Sequence, residues 1–330
     1  MINVAINGFG RIGRLVLRAG IKDKRINWVC VNDVTDAKTL AHLFEFDSVH
    51  GRYGGRVDCT SDSLIIDGKK IKVLSVLDPQ KLPWKAMKID VVVESTGKFT
   101  EREGAQQHLD AGAKKVLISA PAKNPDITIV MGVNDKMYDK KKHHIVSNAS
   151  CTTNCLAPIV KILHDNFRIK KGFMTTIHAY TADQKLVDSP HKDLRRARHA
   201  ALSIIPTTTG AARSVAEVIP ELKGKLDGLS FRVHVATGSV TDFVCELGKN
   251  AAKEKINEAF RKAAKKLKGI IEFSADPLVS ADIKTNPNSS IFDSELTNVI
   301  DGNFVKVVAW YDNEWGFSMR MVDVIKLIGK

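Results

Sequence analysis

The stretch NGFGRIGR, residues 7–14, constrains the fold more than any other part of the sequence. It holds Gly8, Gly10 and Gly13 in the spacing G-x-G-x-x-G, directly after the apolar run INVAIN and at the start of a helical pattern, RIGRLVLRAGIKD. In that context Gly8 permits a tight turn, Gly10 lets the backbone approach a pyrophosphate, and Gly13 lets helix and strand pack closely. The pattern therefore favours a dinucleotide-binding βαβ unit over a glycine-rich surface turn.

Two further features of this unit indicate what it binds. The backbone N–H groups of Arg11 and Ile12 fall at the predicted helix N-terminus, where they would point at the phosphates. Asp33 stands twenty residues after Gly13, at the end of the second predicted strand, INWVCVND. A carboxylate there accepts hydrogen bonds from the adenosine ribose and repels a 2′-phosphate. We therefore predict NAD as the cofactor.

The pattern of predicted elements divides the chain into two domains. Strands and helices alternate through the first half, which predicts a doubly wound parallel sheet, a Rossmann-type domain over residues 1–150. After Ser150 the strands are longer and alternate apolar with polar residues, as in LSFRVHVATG and SVTDFVCELG. This alternation predicts an α+β catalytic domain with a largely antiparallel sheet over residues 151–312. No flexible linker separates the halves, so we expect tightly joined domains with a site at the seam.

Composition and charge narrow the class of protein. The 330 residues are 44% hydrophobic, and no apolar run approaches the roughly 18 residues that span a bilayer. The N-terminus lacks a signal-peptide pattern, so we expect a cytoplasmic location. The net charge of +13 is compatible with nucleic acid, anionic substrates or a basic surface. Residues 251–269 carry much of the excess, but their apolar residues recur at helical spacing, which indicates a solvated helix face. Nucleic acid is not expected as a primary ligand.

The five cysteines are scattered and odd in number, which excludes a disulfide framework. Cys151 and Cys155 lie four residues apart in SNASCTTNCLAP, with no second ligand pair for a zinc site, so no metal is expected. A disulfide between positions one helical turn apart is geometrically awkward. One reactive thiol remains: Cys151 falls at a predicted helix N-terminus, which favours a thiolate, and Cys155 is expected to be a packed neighbour.

A nucleophilic cysteine needs a base, and His178 at the end of the strand pattern FMTTIHAYT is the best placed of the ten histidines. From the residues alone, His178 fits equally a histidine that is simply buried in the core.

Segments along the whole chain resemble the phosphorylating glyceraldehyde-3-phosphate dehydrogenases. They are INGFGRIGR, SNASCTTNCLAP, HAYTADQ, HKDLRRAR, IIPTTTGAA, PELKGKLDG and WYDNEWG. The resemblance implies that Cys151 attacks the aldehyde to give a thiohemiacetal, and that His178 takes the proton and stabilises the oxyanion. Hydride then passes to the nicotinamide, and inorganic phosphate cleaves the resulting thioester to an acyl phosphate.

The resemblance also implies which residues bind the substrates. Thr181 and Arg232 resemble the pair that holds the phosphate of glyceraldehyde 3-phosphate. Residues similar to those that hold the attacking inorganic phosphate are Ser150, Thr152, Arg196 and Thr209. Gly210 belongs to the phosphate-binding set as a whole. Asn313 is similar to the residue that fixes the nicotinamide amide, and Ser119 to one that lines the cofactor cleft. A C-terminal helix over residues 313–330 that packs back on the first domain, and a homotetramer, are implied as well.

Some positions depart from the family pattern or leave choices open. Leu77 stands where a basic residue is common, Phe317 where tyrosine is common, His234 where proline is usual, and Ser189 where leucine is common. Ser189 resembles a feature of relatives that accept both cofactors, so weak NADP use is expected beside NAD. The sequence leaves open which of Arg195 and Arg196 reaches the phosphate. Erythrose 4-phosphate is the alternative substrate.

Overall fold

The computed structural model describes all residues, Met1–Lys330, and the chain forms two compact units. The first unit comprises Met1–Ile129, Asp135–Ala149 and Ser318–Lys330. The second comprises Val130–Asn134 and Ser150–Phe317.

The first unit is built on a nine-stranded sheet with helices α1–α3. Its strands are β1 (Ile2–Asn7), β2 (Ile26–Asn32), β3 (Val57–Thr60), β4 (Ser63–Ile66), β5 (Lys69–Leu74), β6 (Val91–Glu94), β7 (Lys115–Ile118), β8 (Ile127–Thr128) and β9 (Ile145–Ser147). Its helices are α1 (Arg11–Gly20), α2 (Ala37–Glu45) and α3 (Arg102–Asp110). The strand order is β3-β4-β5-β2-β1-β6-β7-β9-β8, and pairing is parallel from β5 to β8.

The central strands show why the sheet is parallel. Every residue of β6 and β7 is buried, as expected where helices cover both faces of a parallel sheet. At the other edge, β3, β4 and β5 pair antiparallel. The β4–β5 turn uses Asp67 and Gly68, both at positive φ (49° and 79°), which is the two-residue hairpin turn that the Asp-Gly sequence indicates. Strand β3 pairs with β4 and adds a third strand to this hairpin.

The second unit is built on a seven-stranded, mostly antiparallel sheet. Its strands are β10 (Ile169–Ala179), β11 (Ile205–Thr208), β12 (Leu226–Val233), β13 (Ser239–Leu247), β14 (Ile271–Ser274), β15 (Ser290–Ile300) and β16 (Phe304–Tyr311). The order is β11-β12-β10-β13-β16-β15-β14, with parallel pairing only for β10–β12 and β14–β15. The predicted fold class, a Rossmann-type parallel sheet plus an α+β part with a largely antiparallel sheet, is confirmed.

Helices α4 (Cys151–Phe167), α5 (Ala211–Val218) and α6 (Lys253–Lys266) belong to the second unit. Helix α4 is almost wholly buried, so its first residue can be delivered to an interior site. Helix α6 buries Ile256 and Phe260 and turns most of its lysines to solvent. Residues 180–204, which showed no regular sequence pattern, form neither helix nor strand.

Helix α7 (Trp315–Ile328) begins two residues after the predicted start of the C-terminal helix. From Ser318 onward it belongs to the first unit, where Lys326 lies 3.8 Å from Asp23. None of the helices has the length and apolar character needed to cross a membrane.

Candidate active site

The glycine loop joins β1 to α1 in the geometry that its sequence requires. Gly8 has φ +89°, and a Cβ added there would lie 2.6 Å from the backbone nitrogen of Thr96. A Cβ on Gly13 would lie 2.3 Å from the carbonyl oxygen of Gly8. A Cβ on Gly10, in contrast, would meet no atom within 4 Å. Gly8 and Gly13 therefore serve close packing, whereas Gly10 presents backbone to open space.

The start of α1 fits an anionic ligand. Gly10 is the N-cap and supplies no side-chain hydrogen bond, so the first turn has no capping acceptor of its own. The side chain of Arg11 forms a two-point ion pair with Asp47 at 2.6 and 3.0 Å. Burial alone would raise the pKa of Asp47, but this pair and backbone donors lower it to about 2. The Arg11 side chain is therefore committed to Asp47, and only the backbone N–H groups of Arg11 and Ile12 remain for the predicted contact with the phosphates.

Asp33 directly follows β2 and lies against the glycine loop. Its Oδ2 accepts from the backbone N–H of Phe9 at 2.8 Å, and its Oδ1 from Thr35 N–H at 3.0 Å. Ser119 follows β7 in the same unit and donates its backbone N–H to Glu94 at 3.0 Å. Leu77 is 76% exposed. Asp33 is partly exposed and is bonded to the glycine loop through Phe9. A carboxylate at this position of the loop suits a dinucleotide.

Cys151 is the first residue of α4. The hydroxyl oxygen of Ser150 caps the helix by accepting from Thr153 N–H at 3.0 Å. Ala149, just before the cap, has φ +54°, a left-handed conformation that an L-residue adopts at a cost of about 1 kcal/mol or more. This turn sets the half-buried Cys151 sulfur 3.4 Å from Nε2 of His178.

The hydrogen bonds of His178 identify its tautomer. Nδ1 lies 2.7 Å from the carbonyl oxygen of Ala179, which can only accept, and 3.3 Å from Nη1 of Arg232, which can only donate. The carbonyl contact is much the shorter, and Nη1 donates to the Thr181 hydroxyl at 2.8 Å, so Nδ1 carries the proton. In the neutral ring Nε2 is then an acceptor, and it faces Cys151. His178 is 95% buried, yet its free acceptor is aimed at the thiol. The arrangement is that of a thiol beside a base.

The electrostatics of the pair differ from the expectation that the thiolate is favoured. Burial raises the pKa of the Cys151 thiol, and the positive charge of Arg232 partly opposes this effect. Burial and the same charge lower the pKa of His178 to about 4. Both groups therefore favour their neutral forms in the unliganded chain, because a buried site disfavours either charge.

Arg232 is brought to His178 by strand register. Strands β10 and β12 are parallel neighbours, and His178 and Arg232 stand opposite each other. Nη1 of Arg232 donates to the Thr181 hydroxyl at 2.8 Å, which unites the two residues predicted to hold the substrate phosphate. Nε of Arg232 and Nε2 of Gln184 are buried donors without a partner. An acceptor-rich ligand such as a phosphate would satisfy such donors.

Arg196 reaches inward and Arg195 does not. Nε of Arg196 donates to the Thr207 hydroxyl at 2.9 Å, and its Nη1 bonds to Asp183. Arg195 is exposed in a surface cleft whose lining also includes Thr207 and Thr209, and no hydrogen bond of its guanidinium to either threonine is observed. This geometry favours Arg196 of the two arginines that the sequence left open.

The other residues predicted to hold inorganic phosphate lie at helix starts of the second unit. Thr209 and Gly210 precede α5, whose Ala211 N–H donates to the Thr209 hydroxyl at 3.2 Å. Thr152, in the first turn of α4, is buried. Asn313 is buried as well, and its Oδ1 accepts from Ser239 Oγ at 2.8 Å.

Sequence reasoning missed two polar residues of this site. Tyr311 is buried, and its hydroxyl lies 2.8 Å from Thr152 Oγ1 and 2.9 Å from Thr176 Oγ1, with its ring edge-on to His178. Asp183 bonds to both Thr181 and Arg196, and so bridges the two predicted phosphate sets. Partial burial would raise the pKa of Asp183, but these contacts and Arg232 lower it. The buried Tyr311 hydroxyl needs a hydrogen-bonding partner, but the surrounding sequence WYDNEWG does not indicate which residue provides it.

Three of the other four cysteines are expected to be less reactive than Cys151 because they are buried. Cys30, Cys155 and Cys245 are buried, as predicted, and burial raises the pKa of each to about 12. No group of three or more His, Cys, Asp or Glu side chains is arranged to hold a metal ion.

The sequence of this chain matches one family of known proteins along almost its whole length. Residues 2–102 match the NAD binding domain of glyceraldehyde 3-phosphate dehydrogenase, and residues 150–313 match its C-terminal domain. The chain is 58% identical over 328 residues to the glyceraldehyde-3-phosphate dehydrogenase of Geobacillus stearothermophilus, covering 99% of this chain and 98% of that one. It is 54% identical over 326 residues to glyceraldehyde-3-phosphate dehydrogenase 2 of Bacillus subtilis (strain 168), covering 98% and 96%. It is 57% identical over 337 residues to the Mycobacterium avium enzyme of that name, covering 100% and 99%.

A Rossmann-type unit with an open glycine loop and a second unit carrying a thiol–imidazole pair are the features of an NAD-dependent dehydrogenase. The chain belongs to the glyceraldehyde-3-phosphate dehydrogenase family.

The first prediction concerns thiol reactivity. Iodoacetamide should label Cys151 first, because the residue is partly exposed and its sulfur faces a proton acceptor, and activity should fall in step with labelling. Mass spectrometry of partially labelled protein measures the order of reaction. Cys59 is the control, since it is also partly exposed but its sulfur has no hydrogen-bonding partner. Equal labelling of Cys59 or Cys245 while activity persists would contradict the assignment.

Proposed function

We propose that this chain, in the cytoplasm, oxidises glyceraldehyde 3-phosphate with NAD and inorganic phosphate to 1,3-bisphosphoglycerate, a step of glycolysis and gluconeogenesis. The observation that carries the proposal is the 3.4 Å contact between the Cys151 sulfur and the His178 acceptor nitrogen, with Arg232 in register beside it. The names of the relatives support the choice of aldehyde.

In the first step, the sulfur of Cys151 forms a bond to the aldehyde carbon. The thiol proton passes to Nε2 of His178, and the carbonyl π electrons move to oxygen, giving a thiohemiacetal anion. The Nε2–H that results then donates to this oxygen. The Ala179 carbonyl holds Nδ1–H throughout, so the imidazole keeps its orientation.

The chain holds NAD through the glycine loop and Asp33. When bound, NAD supplies the acceptor for the hydride that leaves the thiohemiacetal carbon, and a Cys151 thioester results. Gly10 would leave open space for the pyrophosphate, and the partly exposed carboxylate of Asp33 would accept hydrogen bonds from the ribose.

Two anion sites hold the phosphates. Thr181 and Arg232 bind the phosphate of the aldehyde, using the buried donors that lack partners in the chain itself. Arg196, with the starts of α4 and α5, holds inorganic phosphate. An oxygen of this phosphate attacks the thioester carbon. The Cys151 thiolate then leaves and regains a proton from His178.

We also infer that the chain assembles as a homotetramer. Phe173, Leu229, Ile300 and Phe304 of the second unit expose 44–69% of their surface, which offers apolar area for other copies. Sedimentation in solution tests this: a monomer at micromolar concentration would contradict it.

The direct test mixes protein, NAD and glyceraldehyde 3-phosphate, with and without inorganic phosphate, and follows reduced cofactor by absorbance. Sustained turnover is expected only with phosphate, and without it one equivalent per active site. Phosphate-independent turnover, or a clear preference for erythrose 4-phosphate in the parallel assay, would overturn the proposal.

For His178→Asn we expect turnover to fall by about 10²–10⁴-fold, the usual contribution of general acid–base catalysis, while NAD still binds. His164→Asn is the matched control, since His164 is a buried histidine whose Nδ1 only accepts from Ile169 N–H at 3.2 Å. Nearly full turnover in His178→Asn would show that His178 is only a packed residue.

Arg232→Ala and Arg196→Ala should separate kinetically because they remove charge from different anion sites. Arg232→Ala should mainly raise KM for the aldehyde, and Arg196→Ala mainly KM for inorganic phosphate. Arg195→Ala should leave both near the parent values, because Arg195 faces the surface. If Arg232→Ala and Arg196→Ala raise the same KM equally, the two-site assignment is wrong.

Asp33 should make NAD the main cofactor and leave only weak NADP use. Unit charges about 4 Å apart interact by roughly 1–4 kcal/mol between bulk water and a protein surface, so the carboxylate should repel a 2′-phosphate strongly. The diffuse charge of +13 attracts the more anionic cofactor but is screened beyond about 8–10 Å. Asp33→Ala should therefore raise the ratio of kcat/KM for NADP to that for NAD.

Asp33→Asn separates charge from packing, since an amide oxygen still accepts from Phe9 N–H. If repulsion is the cause, both variants should shift the ratio. A parent that prefers NADP, or an unchanged ratio in both variants, would mean that Asp33 does not discriminate.

A further inference from the structure

A row of buried polar side chains crosses the parallel sheet of the first unit. Asn7 ends β1 and stands opposite Asn32 at the end of β2 and opposite Glu94 at the end of β6. All three are at least 94% buried. Central parallel strands are normally apolar, so three polar residues in register need a reason.

Hydrogen bonds join the row into one chain. Asn32 Nδ2 donates to Asn7 Oδ1 at 2.7 Å, and Asn7 Nδ2 donates to Glu94 Oε2 at 2.6 Å. Asn32 Oδ1 also accepts from the backbone N–H of Val76 at 2.9 Å. The row therefore joins the C-terminal ends of the three neighbouring strands β2, β1 and β6.

His108 and Trp84 close the far end of the row, and neither is exposed. The indole Nε1–H of Trp84 donates to His108 Nδ1 at 3.0 Å. Because the indole can only donate, the proton of the neutral imidazole is on Nε2, which lies 3.0 Å from Glu94 Oε2. Trp84 thus selects the His108 tautomer that donates to Glu94.

The second oxygen of Glu94 connects the row to the glycine loop. Oε1 accepts from the backbone N–H of Thr96 at 2.8 Å and from the Thr96 hydroxyl. The neighbouring Ser95 hydroxyl donates to the Gly8 carbonyl at 2.6 Å. A Cβ on Gly8 would lie 2.6 Å from Thr96 nitrogen, so the two turns touch with no space between them. The position of Gly8 therefore depends on the bonds that Glu94 makes.

We propose that Glu94 and His108 are positioning residues for dinucleotide binding, which fix the turn at Ser95 and Thr96 and, through it, the turn at Gly8. Glu94 is fully buried beneath the loop, so its effect passes through these turns and not through contact with NAD. A fully bonded buried network is rigid, and a site that is already in its bound geometry binds without an ordering cost. The inference rests on NAD being the cofactor, as proposed above.

Glu94→Gln tests the proposal with little change of shape. Both Glu94 oxygens accept from donors, so the amide NH₂ must face donors either at the Thr96 turn or at Asn7 and His108, and the network is broken on one side. We expect the Kd for NAD, measured by calorimetry, to rise about tenfold, within the range for a lost hydrogen bond to a charged group. The iodoacetamide reaction of Cys151 should keep the parent rate, because the second unit is unaffected.

Trp84→Phe is a milder variant that removes the donor fixing the His108 tautomer, and it should raise the Kd about threefold. Leu64→Ala is the matched control: Leu64 is fully buried in β4 of the same sheet, outside the polar row. It should lower the melting temperature at least as much while keeping the parent Kd.

An unchanged Kd in Glu94→Gln, or equal weakening by Leu64→Ala, would overturn the inference. If Glu94→Gln does not fold, an unchanged Kd in Trp84→Phe overturns it. The parent is measured first, so failure of the parent to bind NAD would instead overturn the proposed function.

Discussion

The contact between the Cys151 sulfur and His178 Nε2 depends on two local structures that must both be correct. Helix α4 has to begin at Cys151, which requires the Ser150 cap and the left-handed Ala149 before it. Strand β10 has to end at Ala179, whose carbonyl fixes the imidazole tautomer. Each is a short-range arrangement, but the 3.4 Å contact joins residues 27 positions apart. The buried body of α4 provides the rigidity that such a contact needs.

The dinucleotide site and the proposed anion sites use different groups of the chain, backbone in one case and side chains in the other. The dinucleotide site consists mainly of backbone, because glycines at positions 8, 10 and 13 let the loop turn, pack and stay open. The proposed anion sites consist of arginine side chains brought inward by strand pairing and by Asp183. A backbone site is specified by a short motif, whereas a side-chain site depends on the register of strands distant in sequence.

This difference explains how far the sequence could be interpreted. The glycine loop, Asp33 and the α4 N-terminus are local patterns, and both sheets followed from the change in strand alternation near Ser150. Tyr311 was missed because its hydroxyl partner Thr152 is 159 residues away. The polar row was missed because Asn7 and Glu94 look like ordinary strand ends until their register is known. The thiolate was overestimated because a sequence shows the helix terminus but not the burial that opposes it.

In the proposed mechanism, Arg232 would link substrate binding to the proton transfer between Cys151 and His178. Its positive charge lowers the pKa of both groups, which favours loss of the thiol proton but weakens the imidazole that must accept it. A phosphate bound to Arg232 would offset that charge and raise the pKa of His178, while the larger effect of burial would remain. Nε2 would then become a stronger proton acceptor at the moment when the aldehyde is in place. The cation that recognises the substrate thus also keeps the base weak until the substrate arrives.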